Sequence, residues 1–140
     1  MFCSPFYNHR TDEYGGSPEG RVRFYKEILE ECRRQTSPQF QIVARLAGNE
    51  YSDNGLTKEE GIAQAKILEA TGIPCAFHIV GGDYRNVRVI NAQYDRRGDF
   101  IEIAQGFKEA GIKLPLILDG GFTTPDIAEK ALEDGNIGGG

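Results

Sequence analysis

Phe40-Gln41-Ile42-Val43-Ala44-Arg45-Leu46 is the stretch from which the fold is read. In an extended chain side chains alternate between two faces, so Phe40, Ile42, Ala44 and Leu46 share one side and Gln41, Val43 and Arg45 the other. The short apolar run recurs at Cys75–Val80 and at Leu114–Leu118. Each run is followed by a polar or glycine-bearing turn and then by a helical pattern. A leading helix comes first, from Ser17 and Pro18 through Val22, Tyr25, Ile28, Leu29 and Cys32. Alternating strands and helices predict a parallel sheet with right-handed crossovers, covered by helices. A doubly wound sheet and a (β/α)8 barrel both satisfy that order.

The helices carry their own end signals. Thr57 with Glu60 has the spacing of a capping box, in which hydroxyl and carboxylate satisfy backbone donors reciprocally. Ile62, Ala63, Ile67 and Ala70 are the expected buried stripe of that helix, and Gly72 its left-handed stop. Asp99 and Glu102 open the next helix, which Ala104, Phe107 and Lys108 continue to Gly111. Thr124 caps the last, Pro125 suits its first position, and Gly135 ends it.

Composition narrows the function. A chain of 140 residues suits one domain, and its net charge of −5 gives no footprint for nucleic acid or an anionic membrane surface. No apolar run approaches the roughly 20 residues that span a bilayer. Cys3, Cys32 and Cys75 are odd in number and widely spaced, without a C-x-x-C pair, which argues against an iron–sulfur cluster or structural zinc. Three free thiols fit a reducing cytoplasm, with Cys32 and Cys75 read as core residues. His9 and His78 have no partner at ligand spacing, so no metal site is expected.

Ahead of the leading helix lies a dense polar loop, Phe2-Cys3-Ser4-Pro5, Asn8 and Arg10-Thr11-Asp12-Glu13-Tyr14-Gly15-Gly16-Ser17, followed by Arg21, Arg23 and Phe24. It resembles the signature loop of the old yellow enzyme family, in the branch of NADH:flavin oxidoreductases and 2,4-dienoyl-CoA reductases. Gly20 departs from the pattern, standing where that family usually carries Asn. Asp12 and Glu13 read as partners for Arg10 and Arg21 within the loop.

The resemblance favours the barrel. A barrel has eight strands and typically about 250 residues. The chain therefore resembles the later part only: the helix after strand four, strands five to seven, and the helix after seven. On this reading residues 1–140 form an incomplete FMN-binding barrel domain. Its parts are the signature loop at 2–17, βα units at 40–72, 75–111 and 114–135, and a glycine tail at 138–140. The family's substrate-anchoring His-x-x-His or His-x-x-Asn pair and its proton-delivering Tyr would precede Met1, and its Gly-Arg pair after strand eight would follow the tail.

Arg45 is the first candidate site residue. If the apolar face packs on helices, Arg45 points away from them near the carboxyl end of its strand, where barrel enzymes build their sites. A charge there requires an anionic or electron-rich partner, or an ion pair with Asp or Glu on a neighbouring strand. The resemblance implies that Arg45, followed by Leu46, contacts the flavin ring near N1 and O2. The turn Asp119-Gly120-Gly121-Phe122 precedes a helix amino end, a setting that suits a phosphate. By resemblance Gly120, Gly121 and Phe122 would hold the FMN phosphate, and Gly81, in Val80-Gly81-Gly82-Asp83-Tyr84, would form the next wall. Tyr84 either stacks on a substrate or flavin edge or packs on its neighbours. The long segment from Arg85 to Gly98, with Arg88, Arg96 and Arg97, reads as a substrate-facing loop. Arg85 and Asn86 occupy the region where the dienoyl-CoA branch has a catalytic His, so no proton donor is carried over.

The activity implied is FMN-dependent transfer of hydride from NAD(P)H to a small α,β-unsaturated substrate, with the chain inactive unaided. Two alternatives stand beside it. One is a non-catalytic half-barrel that acts by self-association or by docking to a complementary half. The other is a different phosphate-binding barrel, which leaves the long loop before Gly16 unexplained.

Overall fold

The computed structural model describes residues 1–85, 99–119, 122 and 124–135. Helix α1 (Pro18–Gln35) leads into β1 (Val43–Asn49), α2 (Lys58–Glu69), β2 (Ala76–Gly81), α3 (Asp99–Glu109), β3 (Leu116–Leu118) and α4 (Pro125–Glu133). The strands form one parallel sheet in the order β1-β2-β3. Sequential strands are thus neighbours, each crossover passing through a helix. Arg88, Arg96, Arg97, Asn86, Gly120, Gly121 and the glycine tail lie outside the described residues.

Local chemistry accounts for the element ends. Ser17 accepts a hydrogen bond from the Gly20 amide at 3.2 Å, and Pro18 occupies a first-turn position whose amide needs no partner. Thr57 accepts from the Glu60 amide at 3.3 Å. The other half of the expected box is diverted, because the Glu60 carboxylate pairs with Arg21 of α1. That bond also corrects the reading of Arg21 as a partner of the loop carboxylates Asp12 and Glu13. Thr124 holds the N-cap position of α4, but its side chain makes no capping bond. Gly72, at φ +66°, ends α2 in the left-handed conformation that glycine adopts without a Cβ penalty.

The core fills one side of the sheet. Ala44 and Leu46 of β1, Phe77 and Ile79 of β2 and Leu116 of β3 are buried against Ala65 and Leu68 of α2 and Ile103, Ala104 and Phe107 of α3. Full burial of a side chain such as Phe77 or Leu68 contributes about 1.5–3 kcal/mol each. Gly48 and Gly61 bring α2 and α3 close to β1. A Cβ on Gly61 would lie 2.7 Å from the Gly48 carbonyl oxygen, and one on Gly48 would lie 2.3 Å from Ile103 Cγ2. The opposite face has no helical cover among the described residues, and Val43 and Ile117 are 48% and 46% exposed there.

Each strand starts later than the sequence reading placed it. Residues before Val43 form a turn, with the Phe40 amide donating to the Ser37 carbonyl at 3.0 Å, and Phe40 itself is exposed rather than packed on helices. Cys32 is also exposed and Cys75 only half-buried, in contrast to their expected place in the core.

Candidate functional site

Two polar clusters stand out, one on the open sheet face and one in the loops beyond the strand ends. On the open face Arg45 of β1 lies opposite His78 of β2, which in turn lies opposite Ile117 of β3. Arg45 is the third residue of β1 rather than near its end, and its side chain is 63% exposed. Asp119 follows β3 directly, and two steps from Ile117 return it to the same face. Its Oδ2 lies 3.9 Å from Arg45 Nη2 and 3.1 Å from His78 Nε2. The His78 contact lacks hydrogen-bond alignment, leaving that buried nitrogen without a bonded partner. From α1, the Tyr25 hydroxyl donates to the Arg45 carbonyl at 3.3 Å. Arg45 therefore has a loose ionic neighbour and abundant free surface.

The second cluster ties three loops together. Glu50, directly after β1, is buried, and its Oε2 accepts from Ser4 Oγ at 2.8 Å and from the Leu56 amide at 2.8 Å. Arg85 Nη2 approaches the same oxygen at 3.4 Å. Arg85 Nε also donates to Asp83 Oδ2 at 2.6 Å, and Nη1 to the Asp53 carbonyl at 2.9 Å. Its guanidinium carbon sits 3.5 Å from the centroid of Phe6, a cation–π contact. Burial alone would push the Asp83 carboxyl up, but bonds from Arg85 and from Ser52 (2.9 Å) outweigh it and hold the group below the ordinary aspartate range. The polar loop at the amino end is thus fastened to the loops after β1 and β2. Within it, Asn8 bridges the Phe2 and Tyr14 carbonyls at 2.8 and 2.7 Å, and Arg10 pairs with Asp12.

The remaining expected site residues are placed as follows. Gly81 ends β2 and is buried; a Cβ there would lie 2.4 Å from Phe100 Cε1, so its lack of a side chain lets α3 pack close. Phe122 is half-buried and Tyr84 exposed. Gly120 and Gly121 fall outside the described residues. Sequence reasoning did not foresee the His78–Asp119 approach or the Glu50–Arg85 contact. The first had a signal, since His78 and Arg45 alternate onto the same face. The second had none, its partners being scattered from Ser4 to Arg85.

Comparison with known proteins gives this geometry its context. Residues 1–138 match the model of the NADH:flavin oxidoreductase / NADH oxidase family. An NADH oxidase of Thermoanaerobacter brockii is 32% identical over 136 residues, covering 96% of this chain and 21% of the relative. A multifunctional alkene reductase/demethylase OYE of Caballeronia cordobensis is 31% identical over 140 residues, or 96% of this chain and 20% of that protein. Among solved structures, a 2-naphthoyl-CoA reductase in complex with 2-naphthoyl-CoA superposes with a TM-score of 0.89 at 38% identity, covering 97% of this chain and 21% of that one. The chain spans about a fifth of the length of these relatives. With nearly its whole length matched, the chain belongs to the NADH:flavin oxidoreductase / NADH oxidase family.

Proposed function

We propose that this chain supplies strands five to seven of an FMN-binding barrel that passes hydride from NAD(P)H to a small alkene conjugated with a carbonyl. The observation that carries the reading is the position of Arg45 on the helix-free face of three sequentially ordered strands. The donor set fits a flavin. A guanidinium with its nearest carboxylate at 3.9 Å keeps donors free for an electron-rich ring edge, and the bare face leaves room for a planar group. Arg45 would hold the pyrimidine edge, and Gly120, Gly121 and Phe122 would meet the phosphate at the amino end of α4. The chemistry supplied by FMN when bound is hydride transfer between the nicotinamide and the alkene. The chain's own residues contribute orientation and charge. Names such as alkene reductase and 2-naphthoyl-CoA reductase among the relatives support an unsaturated acceptor.

A flavin titration tests this. The chain is expected to quench FMN fluorescence stoichiometrically, and Arg45→Met to weaken binding about tenfold, the worth of a charge-assisted hydrogen bond. No quenching by the unmodified chain would overturn the reading. A second reading, a half-barrel acting by association, is favoured by the exposure of Val43 and Ile117 on the same face. It requires that the chain form a defined complex without binding FMN.

A further inference from the structure

We propose that Asp119 is a counter-charge that restrains the pull of Arg45 on electron density in the bound flavin, holding the flavin's reduction potential low. This rests on the flavin-facing reading of Arg45 given above. The three strands each direct one polar side chain onto the bare face: Arg45 from β1, His78 from β2 and Asp119 from the end of β3. A guanidinium beside an electron-accepting ring favours the state with more electrons. A carboxylate 3.9 Å from that guanidinium opposes the effect, and the opposition strengthens once a ring covers the face and excludes water. His78 Nε2 lies 3.1 Å from the same carboxylate without a hydrogen bond to it.

The ion pair contributes little to the fold itself. Both partners are more than half exposed, and a surface pair of this length contributes little or nothing measurable to stability. A half-exposed acid whose ion pair adds little stability, beside the guanidinium of Arg45 on the bare face, is placed to act on what binds there.

The readout is a ratio of affinities, since a shift in potential equals the relative binding of the oxidised and reduced forms. Dissociation constants of the chain for FMN and for dithionite-reduced FMN are measured without oxygen. Asp119→Asn is expected to favour the reduced form by about tenfold relative to the oxidised one, a rise of about 30 mV for a two-electron couple. Asp119→Ser serves as a second variant with the same expected direction. Glu31→Gln, which neutralises an exposed carboxylate on α1, is expected to leave the ratio unchanged.

Failure has distinct forms. If the unmodified chain binds neither form, the flavin reading falls and this inference with it. If FMN binds but both Asp119 variants keep the ratio, the inference is overturned while the flavin site stands.

Discussion

Glu50 is a carboxylate that stays buried because three donors meet its Oε2: a hydroxyl from Ser4, an amide from Leu56 and a guanidinium from Arg85. Removing it would strand those groups, so Glu50→Ala should cost about 3 kcal/mol, read as a lower urea midpoint. Asp83 adds a pH dependence of definite sign. Its folded value is depressed, so its stabilisation is present above the ordinary aspartate value of about 3.9 and is lost as pH falls through the folded value. Urea midpoints measured from pH 6 down to pH 3 should therefore fall more steeply for the unmodified chain than for Asp83→Asn. A flatter profile in the unmodified chain would contradict this. Burial raises the Cys3 thiol, an effect that the amino terminus and Arg21 only partly offset. Cys32, exposed on α1, should accordingly be alkylated by iodoacetamide before Cys3, as resolved by peptide mass spectrometry. None of the Glu50 contacts was legible in the sequence. Their partners obey no period, and a lone Glu after a strand carries no signal until the loops meet.

At the scale of elements, α2 shows what periodicity captures and what it misses. Its existence, its Thr57 cap and its Gly72 stop were legible, because these depend on neighbours in the chain. Its buried face was legible only in part. Of the expected stripe, Ile62 and Ile67 pack half-buried against the core and Ala70 is exposed, while Gly61, Gln64, Ala65 and Leu68 are the buried positions. Two contacts turn the helix. Gly61 faces the Gly48 carbonyl, and Gln64 donates to the Cys3 carbonyl at 2.9 Å, which admits an amide to the interior. Gly61→Ala sets two effects against each other. Helix propensity gains about 1 kcal/mol, while a methyl 2.7 Å from a backbone oxygen costs about 1–3 kcal/mol and has no flexible side chain to displace. The contact should win, lowering the melting temperature; a rise would mean that α2 moves away from β1 freely. The strands were found in the right order but set too early, because a turn at Ser37–Phe40 delays β1 and Gly48 and Asn49 extend it.

For the molecule as a whole, the described sheet is packed on one side and bare on the other. Apolar surface left in water favours association. The chain is expected to sediment as concentration-dependent oligomers, and the double variant Val43→Lys, Ile117→Lys to shift the population toward monomer. Oligomers that persist unchanged in that variant would place the contact elsewhere. The α/β order and parallel sheet were legible because the apolar runs alternate with capped helices. The identity of whatever covers the bare face was not, since these residues encode only that it prefers cover.

The row of Arg45, His78 and Asp119 also constrains how the strands assemble. Side-chain direction in a strand has a period of two, so sliding β3 by one residue would drive the Asp119 carboxylate beneath α3, among Ile103 and Phe107. A charge forced there without a partner would make the misaligned pairing costly. Ionic groups on the outer row thereby penalise a shifted strand alignment.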